Sequence, residues 1–160
     1  MKPIKVRLNG RWRTGTAAPG QTLLAFLREE LHCTEVKHGC GRGDCGACSV
    51  IMNGQLVDSC LVLALQAEEA DIVTAAGLGS VEHPDAIQQA FIDRGAIQCG
   101  FCSPGMVMAA RALLDAVPDP SEEQIRRGIS GNLCRCTGYR KIVEAVQDAA
   151  RLRAAGEAQP

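Results

Sequence analysis

Nine cysteines occur in 160 residues, and eight of them fall into two sets of four. Cys40, Cys45 and Cys48 follow a C-x4-C-x2-C spacing, and Cys60 comes after eleven intervening residues. Each iron of a binuclear [2Fe-2S] cluster needs two terminal thiolates. A loop that supplies three of them, with a strand end supplying the fourth, is the plant-type arrangement. Gly39, Gly41, Gly43 and Gly46 interleave these cysteines, as suits a loop whose backbone N–H groups approach sulfur closely. Four thiolates also bind tetrahedral zinc, but zinc knuckles commonly use paired C-x2–4-C units rather than this dense run.

The second set joins Cys99-Gly-Phe-Cys102 to Cys134-Arg-Cys136 across 31 residues. Ser103-Pro104 signals a helix start just after the first pair, and Thr137-Gly138 stands before another helix after the second. Helix ends offer unsatisfied N–H groups that favour negative charge on sulfur. The spacing makes this a metal site and leaves iron-sulfur and zinc both open.

Other residues with chemical potential carry blander readings. Gly41-Arg-Gly-Asp-Cys-Gly46 fits a dinucleotide-binding G-x-G-x-x-G, but cysteine interrupts it and no strand-to-helix context surrounds it. Cys33 lies outside both fours and reads as a small buried residue after the first helix. His32, His38 and His83 are scattered, Met106 and Met108 read as core, and Ser49 and Ser103 lack a nucleophile's partners. Gln98, read alone, is a polar residue at a helix end.

Composition narrows the class further. Seventeen basic residues against 18 acidic ones leave a formal charge of -1, which gives no footing for nucleic acid. No run of about 18 apolar residues occurs, so no membrane span is expected. Met1 to Gly10 alternates charged and apolar residues without a signal-peptide core, which predicts a cytoplasmic protein. In that compartment, abundant cysteine points to metal ligation rather than disulfides. Arg126 and Arg127 lie deep in the chain and read as a solvated helix face.

The elements that must position the cysteines change character along the chain. Ile4, Val6 and Leu8 alternate before Asn9-Gly10, which predicts a hairpin. A strict two-residue turn would put Trp12 on the opposite face from those three, which leaves the register open between that turn and a bulge or longer loop. Thr22 caps a predicted helix running through Leu23, Leu24, Phe26, Leu27 and Leu31. Strands are expected at 50–52 and 55–57 around Asn53-Gly54, and another at 72–74. Helices are expected near 84–94, 104–117, 121–129 and 138–153, followed by a fraying tail to Pro160. The division is a β-rich domain at 1–76, a connector at 77–83 and a helical domain at 84–160.

Cys99-Gly-Phe-Cys-Ser-Pro-Gly-Met106, Gly131-Asn-Leu-Cys-Arg-Cys-Thr-Gly-Tyr139 and the first cysteine run together resemble the iron-sulfur subunit of the xanthine dehydrogenase family of molybdenum hydroxylases. The resemblance spans about residues 3 to 150. It implies an α+β protein, with a β-grasp, plant-type ferredoxin-like domain followed by a four-helix bundle, each holding one [2Fe-2S] cluster. It makes iron the metal of both sites, with Cys40, Cys45, Cys48 and Cys60 holding one cluster and Cys99, Cys102, Cys134 and Cys136 the other. It implies a large subunit carrying molybdopterin, as such or as its cytosine dinucleotide, and a medium subunit carrying FAD, in a dimer of heterotrimers. In that family the helical-domain cluster lies nearest the pterin; Gln98 and Cys136 match its pterin-contacting positions. The expected function is electron transfer from molybdenum through the second cluster and then the first to FAD, with no catalytic residue on this chain. The alternatives are an assembly running in reverse as an aromatic thioester reductase, a free-standing ferredoxin and a zinc-binding module.

Overall fold

The computed structural model describes residues 1–157. Strand β1 (Lys2–Leu8) buries Ile4, Val6 and Leu8 and exposes the residues between them, the alternation expected of a sheet with one covered face. It pairs antiparallel with β2 (Arg11–Ala17), Leu8 opposite Arg11 and Arg7 opposite Trp12. Of the two registers left open, the strict two-residue turn is the one that forms, without a bulge. Asn9 and Gly10 both take positive φ, 49° and 79°, the turn whose twist matches that of the flanking strands. Trp12 does lie on the outer face, half exposed, and is accommodated there by Lys5, whose ammonium sits 4.6 Å from the ring centroid.

A second hairpin, β3 (Ser49–Met52) and β4 (Gln55–Asp58), turns at Asn53-Gly54 with φ of 50° and 81°. The short β5 (Asp71–Val73) completes a mixed sheet in the order β2-β1-β5-β3-β4, parallel to β1 and antiparallel to β3. The first helix, α1, begins where expected: Thr22 accepts a hydrogen bond from the Ala25 N–H. It is α-helical only over Leu23–Ala25 and continues as a wider π-helical turn over Phe26–Glu30. Leu23, Leu24, Phe26 and Leu27 pack onto the sheet, so the apolar stripe serves packing as its spacing predicts.

The remaining helices are α2 (Ala86–Asp93), α3 (Ser103–Ala116), α4 (Glu122–Gly128) and α5 (Arg140–Glu157). Asp85 and Ser121 cap α2 and α4, each reciprocated by a glutamine three residues on, Gln88 and Gln124. Pro104 occupies the first turn of α3, where its missing N–H costs nothing. Helix α5 runs past the expected end at 153, carrying Ile142, Val143, Val146 and Ala150 into the core; the predicted fraying falls partly on 158–160, outside the described residues.

Two separate cores result. One joins the sheet, α1 and residues up to Ile72; the other gathers Ile87, Phe91, Met106, Leu114, Ile125 and Val146 from the later helices. Just after β5, the Asn9 side chain grips Thr74, accepting from its N–H at 2.9 Å and donating to its hydroxyl at 3.0 Å. No helix among the described residues is long and apolar enough to cross a membrane.

Candidate functional site

Residues 39–48 form an irregular loop between α1 and β3, and its backbone turns inward onto its own sulfurs. Cys40 Sγ accepts from the N–H groups of Arg42 at 3.4 Å and Asp44 at 3.2 Å, while Cys45 Sγ accepts from the Cys40 N–H at 3.4 Å. The Arg42 N–H is the main reason the Cys40 thiol falls to about 7, a value at which thiolate is readily available. Cys40 and Cys45 are also in side-chain contact. Cys48 and Cys60 form the other contacting pair, brought together where β3 begins and where the chain leaves β4. Burial raises the Cys48 thiol to about 11.

Gly46 has φ of 65°, and a Cβ there would sit 2.5 Å from the Gly131 carbonyl oxygen and 2.6 Å from Asn132 Nδ2. Only glycine satisfies both the left-handed backbone and that close approach.

The second four assembles from two helix approaches. Cys99 and Cys102 precede α3, and Cys134 and Cys136 precede α5. Cys136 and Cys99 lie 3.6 Å apart, sulfur to sulfur, and Cys102 contacts Cys134. Burial lifts the Cys102 thiol to about 12, with Cys134 adding to it. Burial also opposes ionisation of Cys134, but the Thr137 hydroxyl at 3.1 Å and N–H at 3.4 Å outweigh it and bring that thiol to about 7. Cys99, Cys136 and Gln98 are solvent-exposed, whereas Cys48 and Cys60 are buried.

None of these eight cysteines forms a disulfide, and they meet in twos: 40 with 45, 48 with 60, 99 with 136, and 102 with 134. Among the described residues no three His, Cys, Asp or Glu side chains gather around a single point as ligands of one ion. Two thiolates on one tetrahedral metal, with bonds of about 2.3 Å, lie roughly 3.8 Å apart. The Cys99–Cys136 separation of 3.6 Å fits two thiolates that would share one metal ion.

Cys33 is buried in the first core, where burial raises its thiol to about 11, and it joins neither group. His32, His38 and His83 are exposed and dispersed; Met106 and Met108 are fully buried. Gly41–Gly46 lies wholly in the loop and opens no helix. Sequence reasoning gave no role to Thr137, Tyr139 or Asn132. Tyr139 holds φ of 68°, and its hydroxyl accepts from the Cys134 N–H at 2.7 Å. Thr137 was legible in principle as a hydroxyl three residues from a ligand. Asn132 was not, because its partners lie more than 80 positions away.

The 2Fe-2S iron-sulfur cluster binding domain family matches residues 6–76, and the [2Fe-2S] binding domain family matches 74–147. The small FeS subunit of nicotinate dehydrogenase from Eubacterium barkeri is 50% identical over 144 residues, 90% of this chain and 92% of that one. The chain belongs to the small iron-sulfur subunits of the molybdenum hydroxylases. Subunits of this family carry electrons within larger oxidoreductases, and that is this chain's role. Quinoline 2-oxidoreductase from Pseudomonas putida 86 superposes with a TM-score of 0.92 at 41% identity, covering 99% of this chain and 98% of its counterpart. Aldehyde oxidoreductase from Desulfovibrio desulfuricans gives 0.94 at 41% identity over 97% of this chain, which spans 17% of that longer polypeptide.

Proposed function

We propose that Cys40, Cys45, Cys48 and Cys60 hold one [2Fe-2S] cluster and that Cys99, Cys102, Cys134 and Cys136 hold the other. The observation that carries this reading is the meeting of the thiols in twos, two pairs to a site, as a cluster of two irons requires. When bound, the clusters supply one-electron redox chemistry. The chain's own part is to present thiolates, to donate N–H and hydroxyl hydrogen bonds to Cys40 and Cys134, and to exclude water from Cys48 and Cys60.

The second site faces the molybdopterin subunit in this reading. Cys99, Cys136 and Gln98 are open to solvent on this chain alone, which supports a partner covering them, with Gln98 and Cys136 reaching the pterin. The first site then passes electrons to FAD on a medium subunit, in a dimer of heterotrimers. Residues 1–76 would form a β-grasp domain, 77–83 a connector and 84–160 a four-helix bundle, and the two separate cores support that division. Nine cysteines outside any disulfide favour the reducing cytoplasm.

Metal analysis and magnetic resonance test the ligand assignment. The purified full chain is expected to hold about four irons and about four acid-labile sulfides. Cys45→Ser should abolish one electron paramagnetic resonance signal and Cys102→Ser the other. Two zinc ions per chain, or loss of both signals from either substitution, would refute the assignment.

A further inference from the structure

The two thiol groups meet at a single buried peptide. The carbonyl of Gly46, between Cys45 and Cys48, accepts three hydrogen bonds: from Ser49 N at 3.1 Å, Ser49 Oγ at 2.7 Å and Asn132 Nδ2 at 2.8 Å. Asn132 stands two residues before Cys134, is 4% exposed, and donates from the same Nδ2 to Ser49 Oγ at 3.2 Å. Beside it, the Leu133 N–H donates to the Cys45 carbonyl at 2.9 Å. From the third side comes Gly105, three residues after Cys102, where a Cβ would overlap the Gly46 oxygen. The loop of the first site is thus held by both segments that carry the second.

A buried amide with satisfied donors admits few alternative arrangements, because each one would strand a polar group in a dry junction. The Leu133–Cys45 bond alone leaves the loop free to hinge about it. Asn132 supplies the second, side-chain anchor that removes the hinge.

We propose that Asn132 is a positioning residue that fixes the separation and relative orientation of the two clusters by clamping Gly46 and Ser49. The inference rests on the ligand assignment above. It touches neither sulfur nor iron directly; what it controls is the geometry across which an electron passes from one cluster to the other.

The test uses the full-length chain, reduced with dithionite and examined by electron paramagnetic resonance at cryogenic temperature. Each reduced cluster carries one unpaired electron, and two such centres at a fixed separation split each other's signals. In Asn132→Ala and Asn132→Asp, both lacking the Nδ2 donor, the splitting is expected to collapse into broad, unresolved lines while iron stays at about four per chain. Ser49→Ala keeps the Gly46–Asn132 bond and should broaden the splitting partially, which carries the test if the Asn132 variants do not fold. Unchanged splitting in these variants at full iron content overturns the proposal while leaving the ligand assignment intact. Loss of iron from the second site alone also overturns it, since Asn132 would then be supporting Cys134. Zinc in the wild-type chain removes the clusters and overturns both.

Discussion

Replacing Gly46 by alanine separates two costs that usually arrive together. The left-handed backbone at φ 65° penalises any Cβ by roughly 1–2 kcal/mol. Gly138 has the same φ of 65° with nothing within 4 Å of its Cβ position, so Gly138→Ala carries the conformational cost alone. At Gly46 the new methyl meets the Gly131 carbonyl at 2.5 Å and Asn132 Nδ2 at 2.6 Å. The first is backbone and the second is pinned by two hydrogen bonds, so neither can swing aside. Forcing a methyl into a packed site costs about 1–3 kcal/mol more. For a chain of 160 residues that difference lowers the unfolding midpoint by roughly 2–12 °C relative to Gly138→Ala. Differential scanning calorimetry of both cluster-loaded variants, at one scan rate, measures it. Equal midpoints for the two alanine variants would show that the junction yields easily, and would refute the rigid packing argued for it.

Two further outcomes follow from the helical half. Thr137→Val removes the hydroxyl donor to Cys134 Sγ, a bond that would favour the more negative, reduced form of the cluster proposed there. The second cluster's potential should fall by about 20–65 mV, corresponding to a differential of about 0.5–1.5 kcal/mol, with the first cluster unmoved in a redox titration. Met106→Ala empties a fully buried position in the second core and should cost about 2–5 kcal/mol in denaturant unfolding, while the resonance signal of the cluster proposed at Cys40, Cys45, Cys48 and Cys60 survives.

Much of this architecture is local and therefore legible in the chain. Alternation of Ile4, Val6 and Leu8, the two Asn-Gly turns and the caps at Thr22 and Ser121 act within a few residues, so spacing reveals them. Strand and helix positions were accordingly close to those observed. Trp12 left the hairpin register open, because periodicity alone does not say whether an aromatic residue stands on the inner or the outer face. A cation–π contact with Lys5, two positions from Arg7 on the paired strand, lets it stay outside. The π-helical continuation at Phe26–Glu30 carries no sequence mark, and α2 starts at Ala86, two residues later than the expected 84, behind the Asp85 cap.

The sequence by itself determined which atoms could bind metal: eight sulfurs at fixed spacings, the first four declaring an iron-sulfur site, the second needing a family likeness to separate iron from zinc. Tertiary structure decided how those sulfurs pair, which are buried and which are exposed, and how the two groups are joined. Cys99 meets Cys136 across 37 positions, and Asn132 meets Gly46 across 86. Such contacts come from packing two cores against each other, and no local periodicity encodes them.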